Sequence, residues 1–183
     1  MQAEELYFLL KPLCALGQVR GRTTAQKIFY LLQALGYPTR LEYFLHYYGP
    51  YSEDLASFLM SACQSDTPWL KQTVKPVQDG LRFDYEVTQE AKNLVGALEE
   101  KFIAEDLARR AENFCGIAKF LVLRPLASLE IAATILYLER ERGYNRAKAV
   151  AKTKAIKATK ANQGTLAKAS RLLDELRRRA AQS

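Results

Sequence analysis

The stretch LEIAATILYL, Leu129 to Leu138, is apolar on nearly every side when wound as a helix. Such a helix is stable in water only when other elements surround it. The rest of the chain must therefore supply amphipathic pieces that pack around one central rod. Ser128 reads as its N-cap, and its apolar character ends at Glu139, shortly before Gly143.

The preceding segments have that amphipathic form. Leu6, Leu9, Leu10, Leu13 and Leu16 recur at helical spacing, which predicts a first helix over 3–16 stopped by Gly17, with a kink or early end at Pro12. A short basic link, Arg20-Gly21-Arg22, follows. Thr23 and Gln26 have the spacing of a capping box and open a second helix that ends at Gly36-Tyr37-Pro38. Residues 41–51, LEYFLHYYGPY, are aromatic and poor in helix formers, so they read as an extended segment running into a Gly49-Pro50 turn. Ser52 then caps a third helix through Ala62, with Glu53 and Asp54 at its positive end.

Two β-type runs come next, 70–77 and 81–87, with Asp79-Gly80 as the turn between them. Leu81, Phe83, Tyr85 and Val87 point one way and Arg82, Asp84 and Glu86 the other, while Pro76 marks its strand as an edge. Thr88 caps a helical stretch over about 89–120, broken near Gly116. Two basic helices near 145–160 and 165–180, separated by Asn162-Gln163-Gly164, complete the chain. The fold class is mainly α with a small β-hairpin. A winged-helix-like core fills 1–120 with the hairpin at about 70–87 as its wing, and a C-terminal helical half fills 121–183.

Hydrophobic residues make up 49% of the 183 and charged residues 26%, ordinary globular usage. No apolar run reaches the roughly 18 residues of a membrane span. Glu4 and Glu5 precede the first apolar stretch, which argues against a signal peptide. Cys14, Cys63 and Cys115 are too few and too widely spaced for a disulfide framework or a zinc site, so reduced thiols in a cytoplasmic protein are expected.

The net charge of +7 hides an asymmetry. Residues 139–183 hold 13 Lys/Arg against 4 Asp/Glu, a local +9, whereas 1–138 hold 14 against 16, a local −2. A field confined to the tail attracts phosphates or an acidic protein surface, and its plain alternative is a solvated, solubilising face.

The segments GRTTAQKIFYLLQ (Gly21 to Gln33) and HYYGPYSEDL (His46 to Leu55) resemble the YwgA-like proteins, a bacterial and archaeal group of uncertain function. The hairpin end Tyr85-Glu86-Val87-Thr88, the LEIAATILYL helix and the basic terminal pair look like that group as well. A Gln-Lys segment, a Gly-Pro turn and a helical C-terminal half also resemble, more distantly, the Panacea/SocA-like antitoxin domains. That second resemblance implies a protein-binding, toxin-neutralising or adaptor role. Neither group supplies catalytic residues to carry over.

The residues themselves point to binding rather than catalysis. His46 is the single histidine and has no second histidine or nearby cysteine with which to form a metal site or a nucleophile–base pair. Gly17 and Gly21 lack the ending of a phosphate loop, and Glu99-Glu100 and Glu105-Asp106 read as solvated helix charges. No cofactor and no metal are expected.

Tyr43, His46, Tyr47, Tyr48 and Tyr51 form an aromatic segment suited to a protein interface or to core packing. The third helix is a poor DNA reader, because its leading carboxylates meet the phosphate field and no Lys or Arg occurs between Arg40 and Lys71. Lys148, Lys152, Lys154, Lys157, Lys160, Arg171, Arg177, Arg178 and Arg179 are the better candidates for anion contact. Ala147, Ala151, Ala155 and Ala158 form a small-residue stripe suited to close helix packing. The leading expectation is a non-enzymatic, nucleic-acid-associated regulator using the basic tail. The alternative is a protein-binding adaptor or antitoxin-like module using residues 43–51, with an acidic protein as partner.

Overall fold

A computed structural model gives the fold and describes residues 2–78 and 80–182. The order is α1 (Ala3–Leu16), β1 (Gln18–Arg20), α2 (Arg22–Ala34), β2 (Phe44–His46), β3 (Gly49–Tyr51), α3 (Glu53–Gln64), β4 (Leu70–Val77), β5 (Gly80–Val87), α4 (Gln89–Phe102), α5 (Glu105–Val122), α6 (Leu126–Arg140), α7 (Arg146–Ile156) and α8 (Gln163–Ala180). The protein is mainly helical, with two small antiparallel sheets.

The apolar rod is central, as its composition requires. Every residue of α6 from Ser128 to Leu138 is buried, and α2, β3, α7 and α8 all pack on it. α1 closes the far side against α4 and α5. One continuous core joins residues from Tyr7 in α1 to Leu176 in α8. No described helix is long and apolar enough to cross a membrane.

Several local expectations give way to tertiary packing. α1 runs through Pro12 without ending, because Pro12 is buried in the core beside Leu9, Leu10 and Leu13. Burial of that face outweighs the roughly 3 kcal/mol that an interior proline costs a helix. The basic link joins two elements directly, Arg20 ending β1 and Arg22 opening α2, and β1 pairs with β5 (Val19 opposite Tyr85), making a three-stranded sheet in the order β1-β5-β4 with Pro76 on the edge strand. The capping box does not form. Gly21, at φ 94°, occupies the N-cap of α2, and Gln26 turns away to bond Ser52.

The β4–β5 hairpin pairs Leu70 with Val87 and Val77 with Gly80, while Asp79 lies outside the described residues. Only its base is packed: Leu70 and Tyr85 are buried, and Val74, Val77 and Leu81 are exposed. On the other face Asp84 is buried under Arg82, whose Nε and Nη2 donate to its two oxygens at 2.8 and 3.0 Å. Those hydrogen bonds hold the Asp84 carboxyl below its ordinary pKa.

The long helical stretch breaks at Ile103 and Ala104, both extended, rather than at Gly116. Glu105 and Asp106 open α5, where carboxylates suit the positive end of the helix dipole. Gly116 sits exposed inside α5 and costs only about 1 kcal/mol there. α6 starts earlier than expected, with Pro125 at the N-cap position and Ser128 buried within the first turn. In α7 the alanine stripe faces solvent. Ala149 and Thr153 make the packed side, continued beyond the helix by Lys157 and Ala161.

Candidate aromatic hairpin site

Residues 44–51 form a second, two-stranded hairpin. Phe44 pairs with Tyr51, Leu45 with Pro50 and His46 with Gly49. The turn is therefore Tyr47-Tyr48, and Gly49-Pro50 lie in β3 rather than in the turn. Both turn tyrosines keep negative φ, and the left-handed step falls on Gly49 at φ 94°. That position admits only glycine for a second reason: a Cβ there would lie 2.8 Å from Thr134 Oγ1 and 3.4 Å from the Glu130 carbonyl.

Strand alternation sorts the aromatic residues. Tyr43 turns inward, its ring 5.0 Å from Tyr30, and its hydroxyl is sealed without a partner. Burial pushes the Tyr43 phenol well above its ordinary pKa. Phe44, His46 and Tyr51 share the outer face, with ring centres 5.7 Å apart for Phe44–Tyr51 and for His46–Tyr51. Tyr48 lies 6.1 Å from His46, and Tyr47 meets Tyr48 edge-on at 5.0 Å. Tyr47 is 69% exposed, the largest solvent-facing aromatic in this group, with Phe44 and Tyr48 near half that of a free side chain.

A polar seat fixes this hairpin from beneath. Gln26 donates to the Ser52 carbonyl and accepts from the Ser52 amide, both at 2.8 Å. Ser52 in turn caps α3 by accepting from Leu55 N at 3.3 Å. Lys27, 1% exposed, donates to the Pro50 carbonyl at 2.6 Å. From the other side, Lys157 donates to the Tyr47 carbonyl, and its Nζ stands 5.6 Å from the Tyr47 ring centre. Lys160 pairs at 2.9 Å with Glu130, a carboxylate 1% exposed on α6, and stands 5.0 Å from the Tyr48 ring centre.

Burial pushes Lys27 down to about 7, with Lys157 and Lys160 acting the same way and Glu130 opposing them. Burial also lowers Lys157. The seat is thus three lysines around one carboxylate, and its hydrogen bonds end on backbone carbonyls of the hairpin and on Glu130.

The structure divides the nine tail cations. Lys157 and Lys160 belong to the hairpin seat. Arg177 pairs with Glu139 at 2.7 Å, and Arg178 and Arg179 share Glu175 at 2.6 and 2.8 Å. Lys148, Lys152, Lys154 and Arg171 are exposed without an acidic partner among the described residues, Lys148 lying 4.2 Å from the Tyr144 ring centre. Hence two of the basic residues meet the aromatic segment directly, through Tyr47 and Tyr48, and the remainder do not.

Four contributors were not legible as site residues. Phe44 belongs to the aromatic run 41–51, but nothing local states that it faces outward beside Tyr51. Gln26 has the spacing of a helix cap, which conceals its partner Ser52. Lys27 and Glu130 do carry a usable signal: each is the single charged residue of a long uncharged run, 23–39 and 125–138, and such a charge inside a buried helix demands a partner. Among the described residues no group of three or more His, Cys, Asp or Glu is placed to hold a metal. His46 has aromatic ring neighbours, Tyr48 and Tyr51.

No protein-family model matches the chain. The chain is 34% identical over 55 residues to the uncharacterised protein YwgA of Bacillus subtilis (strain 168), a match that covers 30% of this chain. The matched segment spans 33% of that protein's length. The likeness is therefore a partial, YwgA-like one.

Proposed function

We propose that this protein is a non-enzymatic, protein-binding adaptor module of the cytoplasm, whose docking surface is the outer face of the β2–β3 hairpin. The observation that carries this reading is a row of exposed aromatic side chains on a backbone anchored by hydrogen bonds. Phe44, His46, Tyr47 and Tyr48 face solvent on a hairpin whose backbone is held by Gln26, Lys27 and Lys157. Aromatic side chains fixed in place bind at low entropic cost, which is how interface hot spots work. Lys157, buried on the Tyr47 carbonyl, and Lys160, paired with Glu130, brace the turn against which a partner would dock. The resemblance to Panacea/SocA-like antitoxin domains suggests a toxin-like protein as one such partner. Three free thiols suit a reducing compartment.

The core around the hairpin fits a winged-helix reading. α1, β1, α2, α3 and the β4–β5 hairpin follow in that order, and the hairpin joins β1 in one sheet. In DNA-binding members of that architecture the helix in the α3 position enters the major groove. Here it begins with exposed Glu53 and Asp54, which the phosphate field repels.

A second reading, a weakly specific nucleic-acid-associated regulator, draws on Lys148, Lys152 and Lys154 of α7, which have no acidic partner among the described residues. The two separate in one experiment. The tagged protein is used to capture partners from nuclease-treated and untreated lysate, alongside Phe44→Ala/Tyr47→Ala and Lys152→Glu/Lys154→Glu variants. A discrete protein, stoichiometric after nuclease and lost only with the hairpin variant at unchanged thermal stability, supports the adaptor reading. Capture of nucleic acid alone, lost with the lysine variant, overturns it in favour of the second.

A further inference from the structure

The α5–α6 turn and α8 enclose a groove of ≈ 510 Å³ that shares no residue with the hairpin site. Its volume falls in the range of about 300–1,000 Å³ in which proteins take ligands. Pro125 and Leu172, with the edge of the Phe120 ring, supply its apolar surface. Arg124, Lys168, Arg171 and Arg178 supply four cations around it, against the single carboxylate of Glu175. On α8 these residues recur at 168, 171, 175 and 178, so one helix face presents them together.

We propose that this groove binds an acidic amphipathic helical segment of a partner protein. The apolar floor calls for an apolar stripe. The turn at its mouth leaves Leu123 and Leu126 exposed, at 75% and 41%, which extends the greasy surface beyond the groove. The cations call for carboxylates flanking that stripe, and Lys168 and Arg171 have no acidic partner of their own among the described residues. Arg178 already shares Glu175 with Arg179, so the groove's own carboxylate is spent.

A nucleic-acid strand fits less well. The guanidinium groups of Arg124 and Arg179 stack on Phe120 at 4.3 and 4.2 Å from its ring centre, so the ring does not offer a base a free stacking face. Phosphates would meet the cations and leave the apolar floor wet.

The test uses the full chain and a fluorescent peptide of about four helical turns, with Leu along one stripe and Glu elsewhere. Controls are a scrambled peptide of the same composition and a single-stranded oligonucleotide. The expected result is micromolar binding of the striped peptide, weakened about tenfold by scrambling and about tenfold by Lys168→Glu/Arg171→Glu. Amide NMR shifts should localise to residues 120–128 and 168–178, and Phe44→Ala/Tyr47→Ala should bind the peptide as the native chain does. Equal binding of the scrambled peptide, shifts centred elsewhere, tighter oligonucleotide binding in the groove, or no binding of the striped peptide each overturns the proposal. None of these results bears on the hairpin, whose own variants leave the groove intact.

Discussion

The side-chain amide of Gln26 binds both backbone groups of Ser52, its Nε2 donating to the carbonyl and its Oε1 accepting from the amide, each at 2.8 Å. This pair splices the first turn of α2 to the junction of hairpin and α3, and both partners are buried. Gln26→Ala strands the buried Ser52 amide, whereas the Ser52 carbonyl keeps its bond from Ala56 N at 3.2 Å. The expected loss is about 2 kcal/mol in urea unfolding, since an unsatisfied buried group costs roughly 1–3 kcal/mol. Gln26→Glu should not rescue it, because its carboxylate would be buried as a charge facing the Ser52 carbonyl with no hydrogen to donate. A loss within the noise of a surface substitution would show that the splice is dispensable.

What the sequence makes legible is what local physics decides. Thr88 and Ser52 cap their helices as their types require, because an N-cap is a matter of four adjacent residues. The burial of α6 follows from its composition alone. Gln26 shows where such reasoning stops. Its spacing from Thr23 satisfies a capping rule, yet its partner lies 26 positions away in the chain. The tail is similar. Its basic charge is plain from residue counts, but the pairing of Arg177 with Glu139 and of Lys160 with Glu130 depends on α6 and the tail being neighbours, which no local pattern states.

Lys27 predicts a pH dependence. Its folded pKa, about 7, lies below its unfolded value, so above about pH 7 the unfolded chain holds a proton there that the folded chain has released. Stability therefore rises with pH through this window, and the destabilisation is fully present below it. From about pH 7 to about pH 8.5 the contribution is about 1.5 kcal/mol. Lys27→Met should flatten that rise and leave only the smaller share of Lys157, whose pKa is lowered in the same sense. Urea titrations of both proteins across the window decide it, and parallel curves would remove Lys27 as the source.

Gly49 predicts an intolerance to the smallest substitution. Gly49→Ala meets both a left-handed φ of 94° and a Cβ contact of 2.8 Å with Thr134 Oγ1. Together these should cost about 2–4 kcal/mol. Thr134→Ser does not relieve the clash, because the hydroxyl stays bonded to the Glu130 carbonyl at 2.7 Å. Thr134→Ala removes that atom, so Gly49→Ala/Thr134→Ala should recover part of the loss, with the remainder measuring the backbone strain. Equal thermal midpoints for the single and double variants would mean that the contact contributes nothing.

Glu130 and Lys160 predict an asymmetry between two deletions of the same ion pair. Glu130 is 1% exposed, whereas the Lys160 side chain is 39% exposed and can swing into water. Lys160→Met strands a buried carboxylate and should cost about 2 kcal/mol, at the low end for breaking a buried pair because solvent reaches one side. Measured above about pH 7, where Lys27 is largely neutral, Glu130→Gln lets Lys160 rehydrate and should cost about 1 kcal/mol, Lys157 being the one buried cation that loses its counter-charge. The double variant should be more stable than Lys160→Met alone, since the buried carboxylate is then gone. The hairpin reports the same event: losing Lys160 removes the cation above the Tyr48 ring, so Tyr48 ring resonances should move in Lys160→Met more than in Glu130→Gln. A symmetric pair of costs would show that Glu130 is hydrated in solution, and the rigid seat beneath the hairpin would then reduce to Gln26, Lys27 and Lys157.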